Sequence, residues 1–196
     1  MKRWRIDGVP SDSVLIELAE VLNAGGVVLL PTDTIYGLHA VARNAQAVAH
    51  IATIKERPSE KAFVIIAASI EQLEAMGAKV PEILRTIWPA RLTAILAAGD
   101  ATIAARVPDL AWLRALLIRT GPLVSTSANR SGEEPVTAPE RLDAGMQNRL
   151  DGLLDQGPYR AEPSTIVDFT ASEPRMIREG DPAFAQFLRK TLWKGL

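Results

Sequence analysis

The apolar positions of this chain alternate between two spacings. Residues 13–23 set Val14, Leu15, Leu18, Val21 and Leu22 at helical intervals, so one face of a helix is apolar. Pro10 and Ser11 precede it as start signals. After Gly25 and Gly26 comes an unbroken apolar run, 27–30, the pattern of a strand buried on both faces. Pro31 has no backbone donor and is expected to stop that ladder. Asn44 is placed to cap a helix over 44–55. The alternation continues with a strand at 62–68 and a short helix at 69–76, where Ser69 and Gln72 fit a capping box. A helix at 81–88 has Pro81 in its first turn. Strands at 93–97 and 102–107 lead to a helix over 109–117, capped by Asp109. A strand at 122–126 opens into a polar loop, 127–132, and Thr137 and Pro139 start a helix to Gly145. Short strands at 150–154, 165–169 and 176–178 precede a last helix, opened by Asp181 and Pro182 and reaching Trp193. This order predicts one α/β domain over residues 1–196, built on a twisted, mostly parallel or mixed sheet.

Composition narrows the function. With 47% hydrophobic and 23% charged residues the chain is an ordinary globular one. A net charge of −1 gives no overall basic field, so any anion site must be local. The absence of cysteine removes disulfides, thiolate metal sites and thiol nucleophiles. Two histidines do not make a structural zinc site. Of these, His50 lies inside a helix and reads as a packing or surface residue. His39 follows a hydroxyl-rich turn and is open between a site residue and a core one. No apolar run reaches about 18 residues, and the cations of MKRWRIDGVP precede no apolar stretch. A membrane location is therefore not expected, and the cytoplasm is the expected compartment. There is no G-x-S-x-G elbow and no Walker loop, and Gly25 and Gly26 precede their strand rather than follow it.

What remains is a series of cations and hydroxyls at strand ends. Thr32, Asp33, Thr34, Tyr36 and Gly37 follow the 27–30 strand, at the edge where open α/β sheets bind ligands. Lys55, Arg57 and Lys61 resemble an anion clamp, with Pro58 between them. Thr102 and Arg106, four apart on an extended segment, share a face. Ser125, Ser127, Asn129 and Ser131 recur at every second position. Ser164, Thr165 and Arg178 form a last group. Singly, each group is what a solvated surface or a turn supplies. Together they point to a polyanion site, in which Arg grips phosphate or carboxylate as a fork and Lys acts as a point charge.

The runs that hold these groups resemble the YrdC family: PTDTIYGL from Pro31, Lys55-x-Arg57-Pro58, Arg106-Val107-Pro108, STSANRSG with Ser127 and Asn129, STIVD from Ser164, and Arg178-Glu179-Gly180. They stand in the family's order over roughly residues 15 to 180. The resemblance implies a YrdC-like fold with a concave basic site at strand ends. It also implies synthesis of threonylcarbamoyl-AMP from L-threonine, bicarbonate and ATP, with pyrophosphate released. Magnesium would accompany the ATP. The product supplies tRNA adenosine-37 modification, so downstream threonylcarbamoyl-transfer proteins and a contact with tRNA are the implied partners. In that scheme Lys55, Arg57, Ser127 and Asn129 contact phosphates and reacting groups, and Lys61, Thr102 and Arg178 join them on the ATP side. Thr34, Arg106, Ser125 and Ser164 or Thr165 hold threonine, with Arg106 on its carboxylate.

Some positions depart from the family's pattern. The usual tryptophan-proline-glycine-proline-leucine-threonine run is Trp88-Pro89-Ala90-Arg91-Leu92-Thr93 here. Ala62 replaces a common proline, Ile66 a residue that is often histidine, and Pro135 a frequent serine. These changes leave two other readings: a paralogue of the YciO branch making another adenylate, and a non-catalytic RNA-binding module. No C-terminal extra domain is expected, so a lid over the site would come from elsewhere or be absent.

Overall fold

Helix α1 (Asp12–Asn23) begins where Ser11 accepts a hydrogen bond from the Val14 N–H. It buries Leu15, Leu18, Ala19 and Leu22, the face that its spacing marks as apolar. The computed structural model describes residues 1–56, 63–130, 133–159 and 161–193. Gly25, at φ 92°, lets the chain leave the helix and enter β2 (Val28–Pro31). All four residues of β2 are buried. The chain then turns through residues 32–35 and returns as β3 (Tyr36–Val41), antiparallel, with Leu29 opposite Leu38 and Pro31 opposite Tyr36. This second arm of the hairpin corrects the expectation of a turn leading straight to a helix. Every residue of β3 is buried, so no polar alternation marks it in the sequence. Pro31 is the last residue of its strand, where a missing donor costs little.

Helix α2 (Ala45–Ile54) is capped by Asn44, whose Oδ1 accepts from the Ala47 N–H at 3.1 Å. Strand β4 (Val64–Ile66) follows, then α3 (Ile70–Glu74). Ser69 holds the N-cap position without a side-chain bond to the helix backbone, and Gln72 instead accepts from the Ala68 N–H at 2.8 Å, so the capping box does not close. Pro81 is the N-cap of α4 (Glu82–Ile87). Strands β5 (Leu92–Ala98) and β6 (Ala101–Arg106) form a second hairpin. Helix α5 (Ala111–Thr120) starts from Leu110, not from Asp109. The Asp109 backbone N–H is engaged by the Asp33 carboxylate at 3.0 Å, which draws this residue away from capping and toward the hairpin turn. After β7 (Leu123–Ser127), the expected helix is a 3₁₀ turn at Pro139–Arg141 followed by α6 (Ala144–Gln147), capped by Asp143. Strands β8 (Gly152–Asp155), β9 (Thr165–Asp168) and β10 (Arg175–Arg178) and helix α7 (Pro182–Leu192) complete the order, with Asp181 as the last cap. A strand the sequence did not announce, β1 (Lys2–Arg5), lies at the sheet edge beside β8.

The strands form one ten-stranded sheet, β1-β8-β2-β3-β7-β4-β6-β5-β9-β10. It is mixed. The pairings β1–β8, β8–β2, β4–β6 and β5–β9 are parallel, and the rest are antiparallel, so parallel pairing does not dominate. Three apolar clusters cover it. Val28, Leu30 and Val41 pack against α1 and α5. On the opposite face Leu29, Leu38 and Val124 pack against α2 and Met146. Ala94, Leu96 and Val167 pack under α3, α4 and α7. No helix among the described residues is long and apolar enough to cross a membrane.

Candidate functional site

Residues of β3, β4, β6 and β7 and of the turn after β2 converge in the middle of the sheet, and a cavity of about 240 Å³ opens there. Thr34, Arg106, Ser125, Ser127, Ser164 and Arg178 all line it, brought together from across the chain. Thr32, Gly37, Thr93 and Thr126 line it as well.

Arg106 is its buried cation, 4% exposed at the end of β6. One of its terminal nitrogens donates to Thr34 Oγ1 at 2.9 Å and lies 3.4 Å from Asp33 Oδ1. Its Nε has no hydrogen-bond partner, and neither has Asp33 Oδ1. Burial lowers the Arg106 pKa, the Asp33 charge opposes this, and the Arg91 charge adds to the lowering. Buried polar groups are nearly always paired, so an incompletely paired guanidinium lining a cavity suits an anion there. The Thr32-Asp33-Thr34 turn is a holder for this side chain. Thr32 and Thr34 share a hydroxyl bond of 2.9 Å, and Thr32 Oγ1 also reaches the Ile35 carbonyl.

Lys55 is not the solvated lysine that its position after a helix suggests. It is 2% exposed. Its ammonium donates to the carbonyls of Ser127 and Asn129 and to Asn129 Oδ1 at 3.1 Å. The Ser127 hydroxyl also donates to Asn129 Oδ1, and the Asn129 amide donates to the carbonyls of Arg130 and Glu133. Lys55 therefore ties the end of α2 to the loop after β7 and sets the Ser127 hydroxyl at the cavity wall.

On the other side, Arg178 directs Nε and Nη2 at the Ser164 carbonyl, at 3.2 and 2.8 Å. Partial burial lowers its pKa, and the Arg106 charge lowers it further. Ser164 Oγ lies 2.8 Å from Thr93 Oγ1. Thr165 is 1% exposed and accepts from the Gly180 N–H at 3.1 Å, so it braces the wall rather than forming it. A Cβ at Gly180 would fall 2.1 Å from the Pro163 carbonyl oxygen, which explains glycine in the Arg178-Glu179-Gly180 run.

Some assignments do not meet here. Thr102 shares a face with Arg106 but stands at the opposite end of β6, exposed, roughly 13 Å away at the rise of a strand. Arg57, Lys61 and Ser131 lie outside the described residues. His50 is exposed, with Nε2 at 3.0 Å from the Arg149 carbonyl, as a surface residue. His39 is fully buried, and its Nε2 lies 3.1 Å from Ser125 Oγ. Burial, and then the Arg106 charge, push its pKa down to about 3, so the ring is neutral. Sequence reasoning placed Asp33 in the polar turn without giving it a role, and it missed Thr93. Asp33 lies inside a quoted motif, between two threonines, and its role could have been found. Thr93 meets Ser164 across 71 positions, and nothing local signals that contact.

A second cavity of about 770 Å³ adjoins the first through Ile35, Pro135 and Pro163 and is walled by Thr137, Arg141, Tyr159 and Glu162. Among the described residues no group of three or more His, Cys, Asp or Glu side chains could hold a metal ion.

This chain belongs to the Sua5/YciO/YrdC family, whose model, described as telomere recombination, matches residues 20–180. The threonylcarbamoyl-AMP synthase of Bacillus subtilis is 34% identical over 200 residues, which cover 91% of this chain and 58% of that protein. The one from Marinobacter nauticus is 32% identical and covers 84% of this chain and 95% of its own length. The chain thus spans little more than half of the Bacillus relative and nearly all of the Marinobacter one. Among solved structures, Pyrococcus abyssi Sua5 complexed with L-threonine matches with a TM-score of 0.88 at 26% identity, over 98% of this chain and 61% of that one. Escherichia coli YciO matches at 0.79 and 25% identity, over 92% of this chain and 95% of that one.

Proposed function

We propose that this chain is an L-threonylcarbamoyladenylate synthase, acting on L-threonine, bicarbonate and ATP. The observation that carries this reading is the buried Arg106 guanidinium, incompletely paired, in the lining of a small hydroxyl-rich cavity. Its chemistry suits the carboxylate of a small amino acid. Relatives named threonylcarbamoyl-AMP synthase and a related structure holding L-threonine support the choice. The threonine hydroxyl and amine would then face Ser125, Ser164 and Thr34. The adjoining cavity is large enough for a nucleoside.

The reaction needs no nucleophile from the protein. The threonine amine and bicarbonate form a carbamate with loss of water. A carbamate oxygen attacks the α-phosphorus of ATP, and the bond to pyrophosphate breaks. What the chain contributes is alignment and charge stabilisation. Ser127 and Asn129 are proposed for the phosphates from the motif, and to donate to them they would exchange the bonds they make within their own loop. Arg178 stands across the cavity as a cation for the same oxygens. Arg57 and Lys61 are proposed for the phosphates from the motif alone. The described residues offer no acidic cluster for a resident metal, so Mg²⁺ fits as an ion carried on the triphosphate. There it would offset negative charge on the leaving group. Cytoplasmic location, a tRNA contact and downstream transfer proteins belong to this proposal on the strength of the family alone.

The likeness to YciO, together with the Ala90-Arg91 change, favours one second reading: the same pocket making a different adenylate. Pyrophosphate release from MgATP, with threonine and bicarbonate omitted in turn, separates the two. Release that needs both supports the synthase. Release with another acceptor supports the paralogue. No ATP consumption, with salt-sensitive tRNA affinity, would leave an RNA-binding module.

A further inference from the structure

On β2 and β3 the positions facing α1 and α5 are Val28, Leu30 and Val41, all apolar, and His39 is the exception between them. An apolar side chain would fill that place at lower cost, because a buried imidazole loses its hydration. What distinguishes the place is its neighbour. His39 and Ser125 are paired in register across β3 and β7, and Nε2 lies 3.1 Å from the Ser125 hydroxyl. Ser125 lines the cavity, and His39 lies entirely beneath it. Gly37 separates the ring from the cavity, and a Cβ there would come within 2.9 Å of His39 Cε1. The bare glycine is what allows the ring to sit so close under the floor.

We infer that His39 is a positioning residue for the small carboxylate substrate, acting through Ser125. In either tautomer the shared bond takes up one hydrogen-bonding direction of the Ser125 hydroxyl and turns the remaining ones to the cavity. A serine without that bond has three rotamers to choose from, and the ligand must then fix one of them. The inference rests on the proposed threonine site, and the test separates the two.

The first measurement is L-threonine affinity by calorimetry for the wild type, His39→Leu, Ser125→Ala and the double variant. Ser125→Ala is expected to weaken binding about tenfold, the worth of one hydrogen bond. His39→Leu should weaken it by a similar factor, leave the ATP affinity unchanged, and cost nothing further in the Ser125→Ala background. Equal losses from His39→Leu in both backgrounds would mean that the ring acts on folding alone and would overturn the inference. The second measurement needs no variant. The chain has two histidines, so ring ¹⁵N and ¹³C spectra contain two sets of signals, and exposed His50 is an internal control. Threonine should shift the His39 ring signals and leave those of His50 in place. Threonine binding with an unmoved His39 overturns the inference alone. No threonine binding by the wild type overturns the threonine site, and the inference with it.

Discussion

Arg106 is buried beside one carboxylate at 3.4 Å and keeps an unpaired donor, so its guanidinium is incompletely neutralised until an anion arrives. Lysine keeps the charge but not the fork. Arg106→Lys is therefore expected to weaken L-threonine binding by tenfold or more, in the range of about 1.5–3 kcal/mol for hydrogen bonds to charged groups, with calorimetry as the check. Lys55 leads to a different expectation. As a cation at a helix end it would be removable at little structural cost. As the buried donor to two carbonyls and an amide oxygen, it is not. Lys55→Ala should lower turnover about a hundredfold by releasing the Ser127–Asn129 loop, and also lower stability by about 1–3 kcal/mol through unpaired carbonyls. Parallel pyrophosphate-release and denaturant measurements would show whether the two losses travel together. Unchanged stability would mean that water replaces the ammonium.

Elements with one apolar face were legible in the sequence, and elements buried all round were less so. Helix α1 shows its face as Leu15, Leu18 and Leu22, and the structure buries that face. Strand β3 has no exposed position to set a period, and its Gly37 and His39 look like turn and site chemistry. Strand β1 has charged residues around one buried tryptophan, which only its pairing with β8 explains. The site divides in the same way. Motif residues at strand ends were recognisable as a set, whereas Thr93 against Ser164 and His39 against Ser125 depend on register between distant strands. Two substitutions test the elements themselves. Leu18→Ala, fully buried under α5, should cost about 2–5 kcal/mol in denaturant unfolding with kcat unchanged in the surviving fold. Gly180→Ala should do the opposite. Its new Cβ must push residues 178–180 away from Pro163, taking Arg178 off Ser164, at the last strand of the sheet. A fall in kcat/KM larger than the fall in stability is the expected result.

At the scale of the whole molecule, the neutral His39 makes stability depend on pH. Its ring, with a pKa held down to about 3, stays unprotonated in the folded chain, while the unfolded chain binds a proton near pH 6.5. Between those values the unfolded state carries more protons, so stability rises with pH and the contribution of this site is complete above about pH 6.5. Going down, it is lost at about 1.4 kcal/mol per pH unit until the folded pKa is reached. Among the described residues the carboxylates whose pKa values are lowered are Glu71, which starts from 4.5, and Asp143, Asp155 and Asp168, which start from 3.8, so they act mainly at the acid end of that range. Between pH 6.5 and 5 the histidine therefore dominates. Denaturant unfolding of the wild type should lose about 2 kcal/mol between pH 7 and 5, and His39→Leu should lose almost none. A wild-type curve as flat as that of the variant would mean that the folded chain takes up the proton, by opening the β3–β7 seam or by admitting water to the ring. In that case the floor of the cavity would be a pliable surface, and the order imposed on Ser125 would have to come from the ligand.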